Sequence, residues 1–259
     1  MPRFALIGKK LGHSWSKQWF TQKFSNPEWE GFEYINLETD SIAEIRDLVH
    51  QYKLDGMNIT IPYKRSVLPF LDGCTEEVEK IGAVNTIKVL GDGKLVGYNT
   101  DVFGFEKSIT PLLQSHQNKA LILGTGGASQ AVKFILQKLN ISFQMVSRTN
   151  GNENESENES ENESENENVL VYADLTPSLI SEYTIIINTT PLGMHPNLES
   201  CPDIPFEGIE KEHLIFDLVY NPTETLFLKK ARLQGAKTKS GEEMLQLQAE
   251  RALEIWTQE

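Results

Sequence analysis

The chain has 259 residues, more than the ~100–150 of a single core, so two domains are expected. Its hydrophobic content of 39% suffices for globular packing, and a net charge of −13 argues against nonspecific binding to nucleic acid or anionic membrane. No uninterrupted apolar run approaches the ~20 residues of a membrane span. The opening Met1-Pro2-Arg3-Phe4-Ala5-Leu6 enters a strand pattern directly, so no signal peptide is expected. The two cysteines, Cys74 and Cys201, fit neither a metal spacing nor a disulfide framework, so a cytoplasmic, metal-free protein is expected.

Strand-like runs at residues 4–7, 32–37, 56–61 and 86–90 alternate with helix or turn patterns at 15–24, 42–53 and 66–70. A helical stretch over 102–113 leads to a second series of strands at 120–123, 143–146, 184–188 and 214–217. This alternation predicts an α/β protein of two domains with mainly parallel sheets, divided near residues 101–115. Between the second and third of these later strands, residues 150–168 repeat a Glu-Asn-Glu-Ser period with eight glutamates and no apolar side chain. Such a run cannot bury anything to offset ordering entropy, and a disordered acidic insertion is expected. Its eight negative charges, taken from −13, leave −5 on the remainder. The last segment, 241–258, reads as a helix whose wide apolar stripe is interrupted by Gln248, either at the stripe's edge or aimed at a ligand.

Three polar clusters end apolar, β-prone runs: Asn58-Ile59-Thr60-Ile61-Pro62-Tyr63-Lys64, Gly82-Ala83-Val84-Asn85-Thr86 and Gly97-Tyr98-Asn99-Thr100-Asp101. Together they supply one lysine, one carboxylate and several amides and hydroxyls. A nonpolar substrate needs fewer such groups and a phosphate more positive charge, so the set suits a small polyhydroxylated molecule undergoing proton transfer. Lys64 stands near a probable helix start, where the helix dipole disfavours a cation. It is either an exposed lysine or one with a role beyond stability. Asn58 and Thr60, two apart, share one side of a strand. Asp101 could cap the following helix or take part in chemistry.

The segment Leu121-Ile122-Leu123-Gly124-Thr125-Gly126-Gly127-Ala128 is a buried strand, a glycine turn and a helix start, a pattern that brings backbone N–H groups to a pyrophosphate. Ser129 occupies the usual third glycine position. The next strand ends in Ser147-Arg148-Thr149, where an acidic residue would suit NAD. An arginine flanked by hydroxyls suits the 2′-phosphate of NADP, unless Arg148 is a plain surface charge.

With Gly8 and His13-Ser14-Trp15-Ser16, Asn188-Thr189-Thr190-Pro191-Leu192-Gly193-Met194, Asp217-Leu218-Val219-Tyr220-Asn221-Pro222, and Gly241 with Met244, Leu245 and Gln248, these motifs resemble the shikimate dehydrogenase family over nearly the whole chain except the acidic insertion. The resemblance implies a substrate domain of residues 1–101 with the C-terminal helix, 242–259, returning to it, and a Rossmann-like NADP-binding domain of residues 102–241. It implies reversible NADPH-dependent reduction of 3-dehydroshikimate to shikimate, in the pathway to chorismate and aromatic amino acids, by a monomer or homodimer.

By the same resemblance Ser14 and Ser16 hold the substrate carboxylate with Tyr220, while Thr60, Asn85, Asp101 and Gln248 bind ring hydroxyls. Lys64, paired with Asp101, is the acid/base. Gly124, Thr125, Gly126, Gly127 and Ala128 cradle the pyrophosphate, and Ser147, Arg148 and Thr149 meet the adenosine phosphate. Leu218 and Gly241 flank the nicotinamide, and Glu76 approaches the cofactor. Ser147 departs from the family's asparagine, and a second basic residue expected shortly after it is missing, so a reduced NADP preference is expected. A quinate/shikimate dehydrogenase using NAD and a catalytically silent NADP-binding regulator are the competing readings. The absence of an acid beside Arg148 opposes the first, and retention of Lys64 and Asp101 opposes the second.

Overall fold

The computed structural model describes residues 1–12, 14–148 and 169–258. His13, Thr149 and the insertion 150–168 lie outside the described residues. The chain divides into two compact units, Met1–Gly104 with Gln246–Glu259, and Phe105–Leu245.

The first unit contains β1 (Arg3–Gly8), α1 (Trp15–Phe24), β2 (Glu33–Glu38), α2 (Ile45–Tyr52), β3 (Gly56–Ile59), α3 (Tyr63–Ser66), β4 (Gly73–Cys74), α4 (Glu76–Ile81), β5 (Thr86–Val89) and β6 (Leu95–Tyr98). At its end begins α5 (Thr100–Ile109). The sheet order is β2-β1-β3-β5-β6-β4. β1 pairs with β2 and β3, and β4 with β6, in parallel; β5 runs antiparallel to β3 and β6. The alternation of β1 sorts its side chains to two cores. Ala5 and Ile7 pack with Met57, Ile59, Ile87 and Ile45 of α2. Phe4 and Leu6 pack with Phe20 of α1 and with the C-terminal helix.

The second unit contains β7 (Lys119–Leu123), α6 (Gly127–Lys138), β8 (Ser142–Ser147), β9 (Leu170–Val171), α7 (Pro177–Glu182), β10 (Ile185–Asn188), β11 (Leu214–Asp217), α8 (Leu226–Leu233) and β12 (Lys237–Ser240). Its six strands are all parallel, in the order β12-β11-β10-β7-β8-β9. Counted from β7, that is 3-2-1-4-5-6, the doubly wound dinucleotide-binding order, whose crevice opens where β7 meets β10. Every residue of β10 and β11 is fully buried, as expected of central parallel strands covered on both faces. The buried face of α6, formed by Ala131, Val132, Ile135 and Leu136, follows the helical period.

The final helix, α9 (Glu242–Thr257), contributes Ala249, Ala252, Leu253 and Trp256 to the core of the first unit. Trp256 stacks on Phe4 at 4.5 Å and donates its indole N–H to the Ile87 carbonyl at 2.9 Å. A Cβ on Gly56 would fall 2.3 Å from the Trp256 ring, so β3 carries glycine where the indole crosses it.

Several sequence expectations shift in detail. The strand expected over 56–61 stops at Ile59, because the chain turns at Thr60 into α3. The helix expected over 102–113 starts at Thr100 and ends at Ile109, followed by a 3₁₀ turn containing Pro111. The segment 42–53 opens as a 3₁₀ turn before α2. β4 and β12 were not expected, and β6 only as the β-prone run that the third polar cluster ends. β4 is too short to show a period, and β12 is a polar edge strand of alternating lysines.

Candidate active site

In the first unit a series of hydrogen bonds runs from α1 to the start of α5. Ser16 bonds to the phenol of Tyr34, whose O–H donates to Asn58 Oδ1 at 2.8 Å. Asn58 Nδ2 donates to Thr86 Oγ1 at 3.1 Å, and Thr86 donates to Asn85 Oδ1 at 3.1 Å. Asn85 in turn donates from Nδ2 to Thr100 Oγ1 at 3.1 Å and accepts the Thr100 backbone N–H at 2.7 Å. Burial pushes the Tyr34 phenol well above its ordinary pKa, against a lesser opposing effect of Ser16, so Tyr34 stays a neutral member of the series. Asn85, Thr86, Thr100 and Asp101 are all buried. Such groups are stable there because each finds partners.

This series ends beside a partly buried ion pair, Lys64 with Asp101. Lys64 Nζ donates to Asp101 Oδ2 at 2.7 Å. The lysine is a fifth exposed and the aspartate nearly buried, so the amine is accessible while its partner is not. Lys64 is held by its backbone, whose carbonyl accepts the Val84 N–H at 2.7 Å, and by the neighbouring Tyr63, whose hydroxyl donates to the Thr39 carbonyl at 2.6 Å. Asp101 does not cap α5: Asn99 Oδ1 accepts the Asp101 N–H at 3.1 Å, which leaves the carboxylate to Lys64.

Ser14 is the N-cap of α1 and accepts the Lys17 N–H at 3.1 Å. A hydroxyl has a second lone pair and its own proton, so capping does not exhaust it. Thr60 lies against β1, its N–H donating to the Ile7 carbonyl at 3.0 Å, and a Cβ on Gly8 would fall 2.6 Å from its methyl. Gln248 is half-buried on α9. Glu76 lies exposed in the first turn of α4 and is paired with Lys80 at 2.7 Å, which holds its carboxyl below the usual range.

In the second unit, Gly124 follows β7 at φ +112°, and a Cβ there would fall 2.7 Å from Thr189 Oγ1, beyond β10. Only glycine satisfies both demands. Gly126 and Gly127, at the start of α6, face open space, and no acidic side chain occupies the first turn. Free N–H groups at a helix N-terminus with no side chain before them suit an anion. Ser129, in the third glycine position, is fully buried and donates its hydroxyl to the Gly126 carbonyl at 2.6 Å. The small side chain thus meets the packing demand that glycine usually meets.

Ser147 closes β8 opposite Val171, and Arg148 follows it, exposed. Burial pushes the phenol of the nearby Tyr172 up to about 12, with Arg148 opposing the shift. At the far end of the sheet a Cβ on Gly241 would fall 2.2 Å from the Leu218 carbonyl oxygen. Tyr220 is half-buried, and burial raises its phenol.

Residues 6–87 match the shikimate dehydrogenase substrate binding domain. Over 256 residues the chain is 38% identical to the shikimate dehydrogenase (NADP(+)) of Methanococcus maripaludis, spanning 97% of this chain and 90% of that protein. It is 35% identical, with the same coverage, to the shikimate dehydrogenase (NADP(+)) of Methanosphaera stadtmanae. The chain belongs to the shikimate dehydrogenase family. Among solved structures, the shikimate 5-dehydrogenase of Thermus thermophilus in complex with NADP(H) and shikimate is similar with a TM-score of 0.81 at 28% identity, covering 99% of this chain and 94% of that one.

Within this family member, the structure pairs Lys64 with Asp101 and puts Ser16 and Asn85 on one hydrogen-bonded series. Ser14, Thr60, Glu76 and Gln248 belong to the same unit, and Tyr220, Leu218, Gly241 and the glycine turn to the other. Thr149 lies outside the described residues. Sequence reasoning passed over Tyr34 and Thr225, and it quoted Thr86, Asn99, Asn188 and Asp217 within motifs without giving them a supporting role. A polar residue closing an otherwise apolar strand, as Asn188 and Asp217 do, was the available signal.

Proposed function

We propose that the protein is a shikimate dehydrogenase that interconverts 3-dehydroshikimate and shikimate with NADP(H), in the route to aromatic amino acids. The observation that carries this reading is the Lys64–Asp101 pair at 2.7 Å, at the end of a buried polar series. Reducing a ketone builds negative charge on its oxygen. A protonated Lys64 stabilises that charge and then gives the oxygen its proton, while in the reverse direction the neutral amine takes the proton from the alcohol. Asp101 holds the amine in place. NADPH, when bound, supplies the hydride.

The other residues bind and orient. The Ser14 and Ser16 hydroxyls, near the positive end of α1, receive the substrate carboxylate, and Tyr220 joins the substrate set by family likeness. Asn85 uses one amide proton on Thr100, and the second remains for a ring hydroxyl. Thr60, Asp101 and Gln248 meet the remaining hydroxyls. The open N-terminus of α6 suits the pyrophosphate, with Gly124, Thr125, Gly126, Gly127 and Ala128 around it. Ser147 and Arg148 suit the 2′-phosphate, Leu218 and Gly241 the nicotinamide. Glu76 and Thr149 join the cofactor set by family likeness. Initial rates with shikimate and with quinate, each with NADP and NAD, test the reading. Turnover of shikimate with NADP supports it; activity confined to quinate with NAD, or none at all, overturns it.

A further inference from the structure

A buried carboxylate is costly unless hydrogen bonds replace its water. Asp217, the last residue of β11, is fully buried, and among the described residues no cation pairs with it. Neutral donors satisfy it instead. Oδ1 accepts from Asn188 Nδ2 at 2.9 Å and from the Val219 N–H at 3.0 Å, and Oδ2 accepts from the Thr225 hydroxyl at 2.6 Å. A carboxylate accepts at several lone pairs and donates nothing, which this set of three donors requires.

Each donor leads to a different piece of the unit. Asn188 closes β10, and its Oδ1 accepts the Thr190 N–H at 3.0 Å and the Thr190 hydroxyl at 2.6 Å. Its carbonyl accepts the Leu218 N–H at 3.0 Å. Val219 follows Leu218, and its carbonyl accepts the Gly241 N–H at 3.2 Å. Thr225 caps α8 by accepting the Leu228 N–H. One carboxylate therefore ties together the turn after β10, the turn after β11 and the start of α8. Those turns stand at the carboxyl ends of parallel strands, where open α/β sheets bind their ligands.

We propose that Asp217 is a positioning residue for the cofactor, fixing the turns at Thr190 and Leu218 relative to one another through Asn188 and Val219. This rests on the reading that the second unit binds NADP(H). The test compares wild type with Asp217→Ala, Asp217→Asn and Asn188→Ala, following NADPH binding by its fluorescence, which needs no turnover, beside the shikimate KM and urea unfolding. Asp217→Ala and Asn188→Ala should raise the NADPH Kd about tenfold, the loss expected when buried partners are left unpaired, with the shikimate KM moving less than about twofold. Asp217→Asn keeps an acceptor for Asn188 and Val219 and turns its amide toward Thr225, whose hydroxyl can rotate to accept. It should restore the Kd to within about threefold of wild type. NADPH binding unchanged in Asn188→Ala, or equal losses in Asp217→Asn and a folded Asp217→Ala, overturns the proposal. Should Asp217→Ala not fold, Asn188→Ala decides alone. A wild-type protein that does not bind NADPH overturns the functional reading and this proposal together.

Discussion

Lys64 and Asp101, 37 positions apart in the chain, meet at 2.7 Å, and the carboxylate is free for that contact because Asn99 takes over the capping of α5. The polarity of the pair follows from its setting. Its cation reaches solvent, and therefore substrate, while its anion does not.

Replacing Lys64 with Ala should lower kcat roughly 10²–10⁴-fold, the usual loss for a positioned acid/base. Substrate affinity should change far less. Asp101→Asn should also impair turnover, and the double variant should lose less than the product of the single losses, since the two act as a unit. Turnover of Lys64→Ala within a few-fold of wild type would remove the lysine from the chemistry.

Arg148→Ala should weaken NADPH much more than NADH, because only the former carries a phosphate for the guanidinium. Kd values for both cofactors check this directly. Equal losses would make Arg148 structural. With the second basic residue missing after Ser147, the ratio of the two affinities in the unaltered protein should be smaller than in typical relatives.

Gly241→Ala should act on both stability and cofactor. Its new methyl would lie 2.2 Å from the Leu218 carbonyl, a backbone atom that cannot swing aside as a side chain can. The expected destabilisation is about 1–3 kcal/mol, the usual cost of overpacking. The NADPH KM should rise more than that of shikimate. Urea unfolding and paired KM measurements check both halves, and an unchanged NADPH KM would detach this contact from cofactor binding.

The pH dependence of stability should carry a signature of Asp217. Desolvation by burial raises its pKa to about 6 from 3.8, with the bonds from Thr225, Val219 and Asn188 opposing. Between those two values the folded state holds the proton and the unfolded state has released it. This group's contribution to stability is therefore full below the unfolded value and is lost as pH rises through the folded one. Asp217→Asn lacks that titration, so its stability relative to wild type should improve by about 2 kcal/mol between pH 4 and pH 7. Urea titrations at both pH values test it; a difference that does not vary with pH would mean the native carboxyl titrates normally.

The alternation of strands and helices, the glycine turn before α6 and the terminal apolar stripe were legible in the sequence because each is a local pattern. A period of two, a period of 3.6 or a run of glycines needs only neighbouring residues. The polar clusters around Lys64, Asn85 and Asp101 were legible as interruptions of apolar runs. The residues alone left open which of those groups pair; the family resemblance joined Lys64 to Asp101, and the tertiary structure shows that contact and the partners of the rest. Whether Asp101 caps a helix or holds a lysine depends on where α3 ends up, and Asn58 could bond to Tyr34 and Thr86 only once β1, β2, β3 and β5 lay side by side. The same is true of the 3-2-1-4-5-6 order, which brings Gly124 against Thr189, and of Asp217, whose burial and three donors come from strands and turns scattered along the second unit. Local propensity specifies elements, but hydrogen-bond partners and desolvation are properties of the packed chain, and in this protein they govern the chemistry.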